Sequence, residues 1–229
     1  MAVVLVPGFT QTPTSWSAVA RAIDGVVRTA EIPEPRDFAG TAHAIGESGG
    51  PGLYAGYSMG GRLCLRLALD RPDLVRALVL VSATPGIDSA SERASRVESD
   101  ERWAVLAERE GVDTFLEQWL AQPMFASVPV DAPGLDERRS LTPAFLAACL
   151  RRLGTGAMDP MWDRLAELTI PVLLVTGTRD EKFTAIARRM LERLPNAEHR
   201  ELDGGHALPL EQPEALGGLL AEFAQRHGS

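Results

Sequence analysis

Gly56-Tyr57-Ser58-Met59-Gly60 has the form G-x-S-x-G, preceded by an apolar run at 53–55 and followed by a helical pattern at 62–69. In that strand–turn–helix setting the pentapeptide reads as a nucleophile elbow. A turn this sharp strains its central serine, and glycines beside it carry no Cβ to collide with the joined strand and helix. Ser58 then stands at a helix N-terminus, whose positive end favours developing negative charge. A Gly/Ser loop can also do no more than turn the chain, so the flanking elements are what favour chemistry here.

A serine oxygen that reacts needs an imidazole within hydrogen-bond reach and an acid to orient that ring. Four histidines are available. His206 follows the last predicted strand in Asp203-Gly204-Gly205-His206, a turn that can bring it to the sheet edge. His43 lies in a helical pattern, His199 inside a predicted strand and His227 in the tail, so these three read as solvated or structural. The acid is placed at Asp180, in Gly177-Thr178-Arg179-Asp180 after the strand at 172–176. Its ordinary alternative is an N-cap or Asx-turn, and Asp203, three residues before His206, is the rival acid. Ser58, Asp180 and His206 follow one another in the chain order of α/β-hydrolases. Two backbone donors for an oxyanion are expected at the amides of Met59 and of Phe9, the latter in Pro7-Gly8-Phe9-Thr10.

Such side chains need a scaffold. Runs at 2–6, 26–32, 52–57, 77–82, 171–177 and 198–202 read as strands, with helical patterns at 15–23, 62–69, 184–194 and 213–225. Continuous apolar strands alternating with helices imply a mostly parallel sheet of about six or seven strands, covered on both faces. The alternation stops between residues 84 and 159, where 92–109, 113–120 and 143–153 are helical in pattern and no strand is convincing. A stretch that long is not a structureless loop. It reads as a helical cap (84–159) inserted into a core made of 1–83 and 160–229, over the edge where open α/β sheets bind ligands.

Composition narrows the function classes. The chain has 229 residues, enough for one large core or a core with an insertion. A net charge of −8 argues against a general nucleic-acid or anionic-membrane binder. The first residues, Met1 to Pro7, lack a basic n-region and read as a strand, and no apolar run approaches a membrane span. Cys64 and Cys149 have no metal-like spacing; Cys64 reads as a buried free thiol, which suits a reducing cytoplasm. A monomer or weak homo-oligomer is expected.

Gly56-Tyr57-Ser58-Met59-Gly60-Gly61-Arg62, Gln122-Pro123-Met124-Phe125-Ala126, Leu153-Gly154-Thr155-Gly156 and Asp180-Glu181-Lys182-Phe183 stand in order with sensible gaps. Together they resemble the 2-succinyl-6-hydroxy-2,4-cyclohexadiene-1-carboxylate synthases of menaquinone biosynthesis, a family with the α/β-hydrolase fold. The resemblance covers nearly the whole chain; its specific part is the cap together with Tyr57 and Arg62. It implies a lyase that removes a proton beside a ketone and expels pyruvate from an enolpyruvyl ether, using Ser58, His206 and Asp180. It implies neither a metal nor an organic cofactor, and as partner a small anionic substrate. Carried over by motif, Tyr57, Arg62, Arg96, Trp119 and Arg139 would contact that substrate, because guanidinium groups suit planar carboxylates. Arg96 has a solvated, ion-paired helix face as its alternative, Trp119 a place in the cap core, and Arg138 could stand in for Arg139. Pro7-Gly8-Phe9 departs from the family's His-Gly-Phe, keeping the backbone donor and losing the imidazole. Two other classes stay open: a serine hydrolase acting on a carboxylated small molecule, and a non-catalytic ligand receptor.

Overall fold

Six strands, most of them apolar, pair side by side in the computed structural model, which describes residues 1–129, 131, 132 and 134–227. They are β1 (Val3–Val6), β2 (Val27–Thr29), β3 (Gly52–Tyr57), β4 (Val75–Val81), β5 (Val172–Gly177) and β6 (Ala197–Leu202). The order across the sheet is β2-β1-β3-β4-β5-β6, and every pairing is parallel. Parallel neighbours require crossovers, and the helices supply them. They are α1 (Ser17–Ala20), α2 (Phe38–Gly49), α3 (Met59–Asp70), α4 (Ala90–Leu120), α5 (Pro143–Leu153), α6 (Glu181–Leu191), α7 (Leu208–Glu211) and α8 (Pro213–His227).

The two-residue period of a strand divides the core into two layers. Val4, Val6, Tyr54, Leu78, Leu80, Val172 and Leu174 pack on one face with α2, α3 and α6. Their alternating neighbours Val3, Leu5, Leu53, Ala55, Ala77, Val79 and Leu173 pack on the other with Trp16, Val19, Leu216, Leu220 and Phe223. Both faces are therefore apolar, which is why the central strands read as continuous hydrophobic runs. The edge strands differ. β2 is only three residues long and largely exposed, shorter than the 26–32 run suggested, and β6 is partly exposed throughout.

Between β4 and β5 the chain leaves the sheet. Ser89 starts α4 by accepting a hydrogen bond from the Glu92 amide at 3.3 Å, and Thr142 starts α5 by accepting from Phe145 at 3.1 Å. α4 breaks at Gly111 (φ 81°, ψ 177°), so its two arms correspond to the separate 92–109 and 113–120 patterns. Ala104, Ala107, Phe115, Leu116 and Trp119 of α4 pack against Leu146, Ala147 and Leu150 of α5 in a third apolar cluster. Arg151 adds hydrogen bonds from α5 to both Glu101 and Glu108.

Backbone packs closely on backbone where β3 turns into α3. A Cβ on Gly60 would overlap the carbonyl oxygens of Val6 and Pro7, and one on Gly56 would come within 2.5 Å of the Gly60 backbone. Gly218 in α8 has open space around the same position. Gly60→Ala should therefore lower stability by about 1–3 kcal/mol in thermal or urea unfolding. Gly218→Ala should leave it unchanged or raise it by up to about 1 kcal/mol, since alanine is the better helix former.

Candidate active site

The C-terminal ends of β1, β3 and β4 each carry a residue in the left-handed region: Thr10 (φ 66°), Ser58 (φ 50°) and Ser82 (φ 47°). Strain in non-glycine residues gathers at working surfaces, and these three mark one edge of the sheet. Ser58 lies just before α3, so Met59 is that helix's first residue and its amide has no intrahelical acceptor. His206 comes from the connection after β6, and Asp180 from the turn after β5.

The three side chains meet. His206 Nδ1 lies 2.7 Å from Asp180 Oδ2, and Nε2 lies 3.2 Å from Ser58 Oγ. An ionised carboxylate can only accept, so Nδ1–H donates to Asp180 and Nε2 is left as acceptor for the serine hydroxyl. His206 is 2% exposed and is flanked by the rings of Phe183 (4.5 Å), Tyr57 (5.4 Å) and Phe125 (6.2 Å). Asp180 precedes α6 without capping it by its side chain, which leaves the carboxylate for the imidazole. The rival Asp203 is exposed and pairs with Arg179. The remaining histidines sit elsewhere: His43 bonds Asp70 (2.9 Å), His199 bonds Thr176 (2.8 Å), and the His227 ring packs on Phe223.

These groups open onto a cavity of about 230 Å³ between the strand ends and helices α4 and α5. Phe9, Tyr57, Met59, Arg62, Arg96 and Trp119 all line it, together with Ser58 and His206. Arg62 sits one turn into α3, 7% exposed, with Nη1 donating to the Leu153 carbonyl at 2.7 Å and contacting Met158 Sδ at 3.3 Å. Among the described residues no carboxylate forms an ion pair with it. Burial pushes its guanidinium down to about 9, Arg96 adds to that effect, and Asp100 opposes it. Burial also drives the Tyr57 phenol well above its ordinary range, so Tyr57 stays a neutral hydroxyl. Trp119 belongs to both readings: it is stacked on Phe115 in the α4–α5 cluster, and it faces the cavity.

Two positions depart from expectation. Arg139 does not reach the cavity: its side chain is 62% exposed and pairs with Asp113 and Asp136. Its neighbour Arg138 points inward instead, 3% exposed, with Nη1 donating to Thr10 Oγ1 at 3.1 Å. Both lie on a single short 3-10 turn (Glu137–Ser140), where consecutive side chains point about a third of a turn apart. Arg96 lines the cavity yet gives its Nε–H to Asp100 at 2.8 Å. Asp100 was not among the expected residues. It is 3% exposed, its other oxygen has no hydrogen-bond partner among the described residues, and burial raises its carboxyl. Lys182, Phe183 and Phe125 also line the cavity, and their closeness to Asp180 or to the 122–126 motif was the available signal. Among the described residues no cluster of three or more His, Cys, Asp or Glu side chains is arranged to hold a metal, and no helix is long and apolar enough to cross a membrane.

The alpha/beta hydrolase family profile matches residues 3–217. The chain belongs to that family. Within it, the chain is 36% identical over 174 residues to a Bacillus subtilis (strain 168) protein provisionally named 2-succinyl-6-hydroxy-2,4-cyclohexadiene-1-carboxylate synthase, covering 73% of this chain and 64% of that one. It is 30% identical over 170 residues to the synthase of that name from Escherichia coli O1:K1 / APEC, covering 69% of this chain and 66% of the relative. The match thus spans slightly less than two thirds of each curated relative. The solved structure of MenH from S. aureus superimposes with a TM-score of 0.92 at 25% identity, covering 100% of this chain and 95% of that one. A malate-bound esterase from Thermogutta terrifontis shares the fold, with a TM-score of 0.77 at 23% identity over 100% and 91% of the two chains. This hydrolase-fold protein is therefore closely related to the MenH-type synthases.

The geometry separates the two candidate acids. Labelling of Ser58 by a fluorophosphonate, followed by intact-protein mass spectrometry, should slow by about 10²–10⁴-fold in Asp180→Asn and by less than about threefold in Asp203→Asn. Equal slowing in the two variants would remove Asp180 from its place behind His206.

Proposed function

We propose that this protein is a carbon–oxygen lyase that eliminates pyruvate from 2-succinyl-5-enolpyruvyl-6-hydroxy-3-cyclohexene-1-carboxylate, leaving 2-succinyl-6-hydroxy-2,4-cyclohexadiene-1-carboxylate. One observation carries the reading. A serine bonded to a carboxylate-backed imidazole shares its cavity with Arg62, a buried cation one helical turn away that has no carboxylate partner among the described residues. The kinship with MenH-type synthases supports it.

In the proposed mechanism Ser58 gives its proton to His206 Nε2 as it takes the proton beside the substrate ketone, and Asp180 holds the imidazolium that forms. The carbonyl oxygen gains charge as an enolate, facing the amides of Met59 and Phe9. Its collapse forms a new ring double bond, shifts the existing one and breaks the C–O bond to the enolpyruvyl group. The departing enolate takes up a proton and becomes pyruvate. Tyr57, Arg62, Arg96 and Trp119 hold the substrate, with 84–159 acting as the cap that shields it. Arg138, rather than Arg139, is the inward-facing arginine of that pair. The same triad can form an acyl-enzyme, so an esterase, thioesterase or C–C hydrolase is the competing reading.

Purified protein given the authentic substrate should release pyruvate stoichiometrically, read with lactate dehydrogenase, and Ser58→Ala should lower kcat by at least about 10³-fold with the fold intact. Rapid turnover of aryl esters with no pyruvate would decide for the hydrolase.

Arg62 supplies a second test. A charge-assisted pair with a substrate carboxylate is worth about 1.5–3 kcal/mol, so Arg62→Ala should raise KM for the anionic substrate roughly 10- to 100-fold. Hydrolysis of a neutral ester should change far less. Only the protonated guanidinium pairs with a carboxylate, and burial pushes the Arg62 guanidinium down to about 9. KM should accordingly stay flat below about pH 9 and climb above it, and that climb should be absent in Arg62→Ala.

A further inference from the structure

His206 sits in a connection that has little regular structure to hold it, yet it must keep two hydrogen bonds at once. The backbone on either side of it is gripped by one carboxylate. Glu211 Oε2 accepts the Gly205 amide at 2.6 Å, and Oε1 accepts the Ala207 amide at 2.9 Å. The Glu211 side chain is 3% exposed. Its nearest cation, Arg179, lies 3.9 Å away and is already paired with Asp203. What satisfies this buried charge is therefore chiefly the two amides that bracket His206. The one-turn helix α7 makes the grip possible by folding residue 211 back on the loop, with the Glu211 amide donating to the Ala207 carbonyl at 3.0 Å. The loop is also closely packed: a Cβ at Gly205 would overlap Ser127 Oγ and lie 3.1 and 3.2 Å from the two Glu211 oxygens.

We infer that Glu211 is a positioning residue, a two-pronged clamp that fixes the main chain around His206 so that the imidazole spans Asp180 and Ser58. It touches no reacting atom. Upstream the loop is tied by the Arg179 amide, which donates to the Gly204 carbonyl at 2.9 Å, and by Gln212 Nε2, which donates to the Asp203 carbonyl at 2.8 Å; the two prongs extend that hold across His206 itself. Amide hydrogens held by an ionised carboxylate form stronger bonds than neutral pairs, which suits a loop with no sheet ladder to hold it. The inference rests on Ser58 and His206 being the reacting pair, and does not depend on pyruvate being the leaving group.

Glu211→Gln keeps the size but turns its carboxamide NH2, itself a donor, toward one of the two N–H donors. Glu211→Asp keeps the charge but falls one methylene short. Each should lower kcat by about 10- to 100-fold with KM within about twofold, the loss expected when a reacting group is misplaced by an ångström or so. Turnover is to be followed both as pyruvate release and as p-nitrophenyl acetate hydrolysis, so failure of the lyase reading leaves the clamp testable. The downfield proton resonance of His206 Nδ1–H should broaden or move in both variants while their melting temperatures stay close to that of the parent. Full activity in Glu211→Asp alone would replace the clamp with a simple charge effect. A matched loss of kcat and melting temperature would reduce Glu211 to a folding role. Hydrogen exchange in the unmodified protein decides the matter should either variant fail to fold. The Gly205 and Ala207 amides should exchange at least about 100-fold slower than free peptide, and unprotected exchange at both would overturn the inference.

Discussion

The hydrogen bond from His206 Nδ1–H to the Asp180 carboxylate is the constraint on which the rest of this molecule depends. It selects the tautomer, and the tautomer decides that the other ring nitrogen faces Ser58 as an acceptor. Bringing those two groups together means aligning the ends of β5 and β6, while β3 presents the serine two strands away. A parallel sheet does this naturally, since all its strands finish on the same edge. The strained backbone at Thr10, Ser58 and Ser82 shows how closely the chain is worked along that edge.

Over this edge the inserted helices set an unusual electrical environment. The protein carries a net charge of −8, yet the cavity wall includes Arg62 and Arg96, with the buried Arg138 close by Tyr57. Burial is a stronger influence on Arg62 than any neighbour, which is why a residue that is normally always charged comes near to titrating. Asp100 tempers the field from the same helix that carries Arg96. The aromatic rings of Phe9, Trp103, Phe115 and Trp119 meet edge to face or stacked beside these charges. An apolar wall of that kind lowers the local dielectric and lengthens the reach of every charge it encloses.

Much of this was legible from residue order, for particular reasons. The elbow was readable because its glycines answer to close backbone approach, and Asp180 because it lies in the turn between a strand and a helix start. The insertion betrayed itself by breaking the alternation of strands and helices, with three helical patterns in a row and no convincing strand. Arg138 and Arg139 could not be told apart, since both ride one short turn and no periodicity marks which side is inward. The helix over Phe38–Gly49 was less apparent: glycines at 40, 46 and 49 weaken its pattern, and its start rests on Asp37 accepting the Gly40 amide. Glu211 escaped notice because it lies in a helix of one turn, too short to have a pattern. Its only trace was an acid five residues after the histidine. The edge strand β2 blurred for the opposite reason, having a single neighbour to discipline its length.

The Arg62 guanidinium is held by a carbonyl and a thioether, ligands that orient a cation without neutralising it. Among the described residues it is thus a cation inside the core without an ion-pair partner. An anion bound beside it would complete the interior much as a side chain would. Occupancy and folding stability would then be two measures of one equilibrium, because a ligand held only by the folded chain stabilises it.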